Sequence, residues 1–378
     1  MNIVIAPDSF KECLTAAQVA QHIATGIRSV CPTAEIICIP IADGGEGTVE
    51  ALVTATNGSI IRVSSVDALM RPVHSFFGVL GNGTTAVIEM AAASGIELIE
   101  PEKRNPMLAS TFGTGLLIKE VLERGFNDII IGIGGSATND GGVGMAKALG
   151  YKFLDDNNRE IGNGGGALSN LERIDTSGIN PLLSKAMITV ACDVTNPLCG
   201  HNGASAVFGP QKGATPEMVV ALDQNLKKLA EVIQLQMDKE VAEIPGAGAA
   251  GGLGAGLLAF TNSTLKPGFE IVKEITQLEE QIRNADLIFT AEGKIDFQTQ
   301  FGKTPFGVAQ IAARYNVPVI ALAGIIGLGA ETLLEKGITA YYTISEEAIS
   351  IEESIRNAAN LIENRSSQIM RKVGNSGI

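Results

Sequence analysis

EIICIPIADGGEGT, residues 35–48, decides the fold. Its first half, residues 35–41, is an apolar run of strand length, and its second half turns at once into a glycine-rich loop, residues 42–48, that feeds a helix. The same order stands upstream: residues 2–6 read as a buried strand, Pro7-Asp8-Ser9 as a loop, and residues 15–29 as an amphipathic helix. Strand and helix alternating in this way make a β-α-β-α unit, whose strands lie parallel.

The far end of the chain repeats the rhythm, with strands expected at 286–290, 317–323 and 338–343 separated by helices, so both ends belong to one open sheet. Residues 60–66, 73–80 and 85–90 break that rhythm. They are short strands with turn signals between them, the mark of an antiparallel meander. From 114 to 192 helices and strands alternate again, less regularly. The expected fold class is α/β: an open Rossmann-like parallel-sheet domain, residues 1–60 and 284–378, with a second mixed α/β domain, residues 61–283, inserted and an active-site cleft between them.

Of the 378 residues, 41 are Asp or Glu and 28 are Lys or Arg, a formal net charge of -13. Nucleic acid and anionic membranes are bound through broad basic surfaces, so neither is an expected partner and a small-molecule ligand is. The 44 glycines show no collagen period and sit among ordinary apolar segments, where they serve backbone geometry. The five cysteines are odd in number and contain no C-x-x-C pair, which fits neither a disulfide framework nor a zinc ribbon and suits a reducing cytoplasm. No basic segment precedes an apolar core at the start, and the longest weakly apolar run, residues 245–260, is shorter than the about 20 residues a bilayer span needs. A soluble, cytoplasmic protein is expected.

Residues able to do chemistry concentrate where strands end. APDSFK, residues 6–11, places Asp8, Ser9 and Lys11 after the first strand, at the edge where open α/β sheets bind ligands. The alternative is a helix entry in which Asp8 or Ser9 caps orphan N–H groups. ADGGEGT, residues 42–48, carries Asp43 and Glu46 among its glycines, two acids that suit a divalent cation or a polar substrate and that a plain turn does not need. GIGGSATNDGG, residues 132–142, follows an apolar strand at 128–133 and precedes a helix, so its amides offer an anion site without Lys or Arg. Asn139-Asp140-Gly141-Gly142 reads equally as a turn. Gly132-x-Gly134-x-x-Ala137 also matches a permissive dinucleotide fingerprint, with Asp155 or Asp156 about 20 residues on.

A literal G-x-G-x-x-G stands at Gly246, Gly248 and Gly251, but the charged residues 237–244 ahead of it are no buried strand, which leaves phosphate-cradling amides and close helix packing as the two readings. Gly302-Lys303-Thr304 resembles the end of a Walker A loop, yet Phe297 stands where its first glycine belongs. AEGKID, residues 291–296, with Glu292, Lys294 and Asp296, and ACDVTN, residues 191–196, with Asp193, again put acids and amides at strand ends, a pattern suited to phosphoryl transfer. Lys212, in FGPQKG at 208–213, is a cation in a turn: a neutraliser of phosphate or carboxylate, or a solvated surface lysine. His22, His74 and His201 have no metal-ligand spacing.

The ordered motifs APDSFK (6–11), ADGGEGT (42–48), IEMAAASG (88–95), GIGGSATNDGG (132–142), ACDVTNP (191–197), FGPQKGA (208–214), PGAGAAGGLG (245–254) and AEGKID (291–296) span nearly the whole chain, which by them resembles the type 1 glycerate kinases of bacteria. The resemblance implies two α/β domains with the site in the cleft between them. It implies a kinase dependent on ATP and Mg2+ that phosphorylates D-glycerate, with 2-phosphoglycerate the favoured product. Two places depart from the family pattern. Lys294 stands where Arg is frequent, keeping the charge without the bidentate fork, and Ala68-Leu69-Met70 stands where a Pro-Leu-Gly turn is frequent.

On this reading Asp8, Asp43, Glu46, Asp193, Glu292 and Asp296 line the cleft, with Asp43 and Glu292 on the metal. Asp8, Ser9, Asp43, Glu46, Asn139, Asp140 and Lys212 contact substrate, while Gly134, Gly135, Ser136 and Lys294 hold the nucleotide. Lys11, Lys212 and Lys294 neutralise carboxylate and phosphates. Asp193, ahead of Asp296, is the expected base for the glycerate hydroxyl proton, and Lys11 completes the catalytic set. The glycine fingerprints also admit an NAD(P)-dependent 2-hydroxy-acid oxidoreductase, and a binding cleft alone admits a non-catalytic sugar-acid-binding protein.

Overall fold

The computed structural model describes residues 1–10, 13–42, 44–300, 303–345 and 350–376. Its strands, in chain order, are β1 (Asn2–Ile5), β2 (Glu35–Cys38), β3 (Ser59–Val66), β4 (Pro72–Val79), β5 (Thr85–Glu89), β6 (Asp128–Gly132), β7 (Lys152–Leu154), β8 (Arg173–Asp175), β9 (Met187–Ala191), β10 (Ser263–Lys266), β11 (Leu287–Ile295), β12 (Val319–Ile326) and β13 (Ala340–Thr343). Two compact units emerge, one of Met1–Ala42, Glu50–Asn57 and Phe269–Ile378, the other of Asp43–Val49 and Gly58–Gly268.

In the first unit the strand order is β13-β12-β11-β1-β2, and every neighbouring pair is parallel. The β1–β2 ladder continues past Cys38, because Ile39 N–H donates to Ile5 O (2.8 Å) and Ile41 N–H to Pro7 O (2.8 Å). Pro40 interrupts nothing, since its position is out of phase with the donors that face β1 on this edge strand. β11 runs further than its apolar residues suggest. It pairs Glu292 with Ala323 and Lys294 with Ile325 of β12, so AEGKI lies within the strand and not in the loop beyond it. The apolar partner β12 supplies the ladder that an acidic segment alone would not form.

The helix Ala16–Arg28 begins with a capping box in which Thr15 and Gln18 exchange side-chain and backbone bonds. It buries Val19, Ile23 and Ile27, spaced for one helical face, together with Ile362, Ile369 and Met370 of the helix Ile351–Ser376, against Ile3, Ile5, Phe289 and Leu322 of the sheet. Each fully buried aliphatic side chain contributes about 1.5–3 kcal/mol. His22, within this helix, pairs its Nδ1 with Glu363 Oε1 at 2.7 Å, a structural role.

The second unit holds a six-stranded sheet of order β10-β9-β6-β5-β4-β3. β3, β4 and β5 form the antiparallel meander, and β5, β6, β9 and β10 run parallel. β7 and β8 make a separate antiparallel pair. Ile88, Ile129, Ile131 and Val190 of the sheet are buried with Leu117, Val121, Leu226, Leu229 and Ile233 of its helices. In the glycine-rich run at 245–256 the structure favours close packing. Gly251, at φ 68, presses so tightly on the 138–142 turn that a Cβ would overlap Thr138 O and lie 2.6 Å from Asn139 Cα.

The turn at 67–71 holds Met70 at φ 65, left-handed backbone at the place where the family resemblance puts glycine. Asp67 Oδ1 clamps it by accepting from the amides of Leu69 and Arg71, both at 2.9 Å. Among the described residues no helix is long and apolar enough to cross a membrane.

Candidate active site

In the first unit, side chains gather just past β1 and along the last residues of β11. Asp8 N–H donates to Ala291 O (2.8 Å), which fixes Asp8 beside Glu292. Asp8 Oδ1 accepts from Ser9 N–H (2.6 Å) and Oδ2 from Thr304 Oγ1 (3.1 Å). The cap of the following helix is Thr15, so the capping alternative for Asp8 and Ser9 does not apply to that helix. Glu292 is buried, and its Oε1 accepts from Thr299 Oγ1 (2.6 Å) and faces Lys303 Nζ (3.5 Å). Burial pushes the Glu292 carboxyl up, and the charge of Asp8 adds to that push. Asp296 pairs with Lys294 Nζ at 2.9 Å, and that bond holds its carboxyl below the usual carboxylate range.

Neighbouring carboxylates that resist ionising together, with two lysines close by, are a donor set for a hard cation. Magnesium commonly takes one or two carboxylates and fills its other positions with phosphate oxygens and water. Asp8 and Glu292 fit that demand. Among the described residues no group of three or more His, Cys, Asp or Glu side chains forms a protein-only metal cage. Lys303, Thr299 and Thr304 were not among the expected site residues. For Lys303 and Thr304 the sequence signal is the GKT at 302–304, whose phosphate-loop spacing fails, and for Thr299 there is none.

In the second unit the turn after β6 carries the expected amides, and only some are available. Gly134 N–H donates to Gly44 O (3.0 Å), so it is spent on the 42–48 loop. A Cβ on Gly134 would lie 2.6 Å from Gly45 Cα, which makes this glycine a packing residue. The amides of Gly135 and Ser136 have no acceptor among the described residues. The dinucleotide reading loses its context here, because the next helix starts only at Val143, beyond a turn that Ala137 does not open.

Asn139 and Asp140 lie inside the protein. Asn139 Nδ2 donates to Ser205 Oγ (3.0 Å). Asp140 accepts four hydrogen bonds, from Thr111 N–H, Thr111 Oγ1, Gly142 N–H and Gly144 N–H. Its carboxylate ties together the turn that sequence alone left open between site and structure, and nothing of it is presented to a substrate. Lys212 is 1% exposed, which overturns the surface reading. Asp193 stands exposed beyond the carboxyl end of β9, where its Oδ1 accepts from Gly268 N–H (2.9 Å). Glu46 is exposed in its loop. Lys11 and Asp43 lie outside the described residues.

Burial drives the Lys212 ammonium down to about 7 from its ordinary 10.5, against the opposing pull of Asp140. Between those values the unfolded chain holds a proton that the folded chain has released, so stability rises with pH through that window. The urea midpoint of the wild type should therefore climb between pH 7 and 10 relative to that of Lys212→Met. Parallel curves for the two proteins would contradict the burial of a charge-bearing lysine.

Residues 3–374 match the model of the glycerate kinase family. The chain is 51% identical to glycerate 2-kinase of Escherichia coli K12 over 358 residues, covering 95% of this chain and 94% of that protein. It is 49% identical to glycerate kinase of Bacillus subtilis 168 over 373 residues, covering 99% and 98% respectively. A crystal structure from Salmonella typhimurium LT2, solved under the name glycerate kinase 2, superimposes with a TM-score of 0.89 at 46% identity, covering 100% of this chain and 99% of that one. With this fold and these strand-end acids, the chain is a kinase. It belongs to the glycerate kinase family.

Proposed function

We propose that this chain transfers the terminal phosphoryl group of ATP to D-glycerate, with magnesium, in the cytoplasm, and that 2-phosphoglycerate is the product. One observation carries the reading: Asp8, just past β1, stands beside Glu292 of the neighbouring parallel strand β11, with Lys303 facing Glu292 and Lys294 paired to Asp296 at the end of that strand. Phosphoryl transfer asks little covalent chemistry of a protein and much positioning and charge stabilisation, which such a set provides.

In this reading Asp8 and Glu292, with Asp43, hold the metal, which supplies charge neutralisation at the phosphates. Lys294 and Lys11 face anionic oxygens, and the Gly135 and Ser136 amides bind an anion. Ser9 and Glu46 contact substrate hydroxyls. Asp193 accepts the hydroxyl proton, because Asp296, held ionised by Lys294, is the poorer acceptor. Asp140 and Asn139 support the loop from inside. The two domains are taken as residues 1–60 with 284–378, and 61–283.

The test is ADP release with D-glycerate, followed with and without magnesium, beside a search for nicotinamide reduction with glycerate and NAD. Magnesium-dependent ADP release that needs D-glycerate is the expected result. Reduction of NAD without ADP release would replace the kinase reading with the oxidoreductase one.

A further inference from the structure

Lys212 closes the short helical turn Pro210–Lys212 and is fully enclosed by the second unit. Its Nζ donates to Ser136 Oγ and to Thr138 O, each at 2.6 Å. Both partners are neutral. The charged group that acts on it is Asp140, whose carboxylate is already occupied by Thr111, Gly142 and Gly144. A buried ammonium without a direct ion pair is costly, and its retention asks for a reason.

The reason lies in hydrogen-bond polarity. Thr138 O can only accept, so Nζ donates to it, and in its protonated form Lys212 also donates to Ser136 Oγ, which leaves the hydroxyl hydrogen of Ser136 to point elsewhere. The backbone around Ser136 is fixed as well: Ile96 N–H donates to Gly135 O (2.8 Å), and Ala137 N–H donates to Ser94 O (3.0 Å). Two successive amides, Gly135 and Ser136, remain without acceptors among the described residues, and Gly135 is exposed at φ 70. Successive amides beside a left-handed residue form a concavity for anions.

We propose that Lys212 is a positioning residue that acts through Ser136: it commits the Ser136 hydroxyl to donating, so that the turn at 135–136 offers two N–H groups and one O–H to an anionic oxygen. The proposal rests on the kinase reading, which names the two anions available, the carboxylate of D-glycerate and the phosphates of ATP. It moves Lys212 from direct contact with substrate to one step behind it.

A double-mutant cycle tests the proposal, with KM for D-glycerate and for ATP, kcat, and the melting temperature measured for wild type, Ser136→Ala, Lys212→Met and the double variant. Each single variant should raise one of the two KM values by about 10-fold or more, as loss of a donor to a charged oxygen does, with kcat reduced less. The double variant should be no worse than the poorer single one, because both changes remove the same donor. A rise confined to D-glycerate identifies the carboxylate, and one confined to ATP identifies a phosphate; either supports the cradle. Should Lys212→Met not fold, Ser136→Ala decides alone by the same KM readout. Unchanged KM values with a lowered melting temperature, or fully additive effects, overturn the proposal. A wild type that makes no phosphoglycerate overturns the kinase reading itself, and the cradle with it, a result separable from a wild type that works and variants whose KM values stand still.

Discussion

Asp193→Asn is expected to lower kcat by about 10²–10⁴-fold while the affinity for ATP stays near its wild-type value, the signature of losing the proposed general base. The substitution leaves the core intact. Asp193 is exposed past the end of β9, so no buried cavity or unpaired core charge arises. An Asn oxygen can still accept from Gly268 N–H, the bond that now orients the side chain at 2.9 Å. The melting temperature should therefore barely move. Asp296→Asn is the informative contrast: its carboxylate is committed to Lys294 Nζ, and removing it should disturb anion binding more than proton transfer. A near-normal kcat in Asp193→Asn would take the role of base away from this residue.

Gly251→Ala should cost about 3–5 kcal/mol of stability, in the range where single substitutions are exceptional. Two effects add. The residue sits at φ 68, where an L side chain costs roughly 1–2 kcal/mol. Its Cβ would also collide with backbone, Thr138 O and Asn139 Cα, which cannot swing aside as a side chain would. Gly251 O further accepts from Gly141 N–H (3.0 Å), so relief by moving the helix would break a bond to the same turn. Gly200→Ala separates the two effects, because Gly200 shares the left-handed backbone at φ 88 but has no atom within 4 Å of its Cβ position. Urea unfolding should show the Gly200 variant losing only the backbone part. Equal losses in both variants would mean that the collision is relaxed.

The alternation of strand and helix made the first sheet legible at both chain ends, because period and length are local properties that parallel strands share. The meander was legible for the same reason, with its turn signals at 67–71 and 81–84. What stayed hidden was decided by partners distant in sequence. Nothing local distinguishes Asp140 folded inward onto Thr111 from Asp140 facing a ligand. Lys212 reads as an ordinary surface lysine until its turn is seen packed on Ser136 and Thr138. Gly134 and Gly251 read as ligand-approaching glycines, yet each is needed where one backbone presses on another. Glu292 was legible as a strand-end acid, although β12 draws the strand past it and the hydroxyl of Thr299, with Lys303, completes its surroundings. An acidic chain of -13 nonetheless suits anionic substrates, since amides and lysines act locally where net charge does not.

Proton-coupled phosphorus NMR of a reaction containing ATP, magnesium and D-glycerate tests the central claim most directly. Phosphate on the secondary carbon couples to one proton and gives a doublet, whereas phosphate on the primary carbon couples to two and gives a triplet. The account predicts a new ester doublet growing as ATP converts to ADP. A triplet would contradict the assignment to the 2-hydroxyl, and an unchanged ATP spectrum with active-site residues intact would contradict phosphoryl transfer to glycerate altogether.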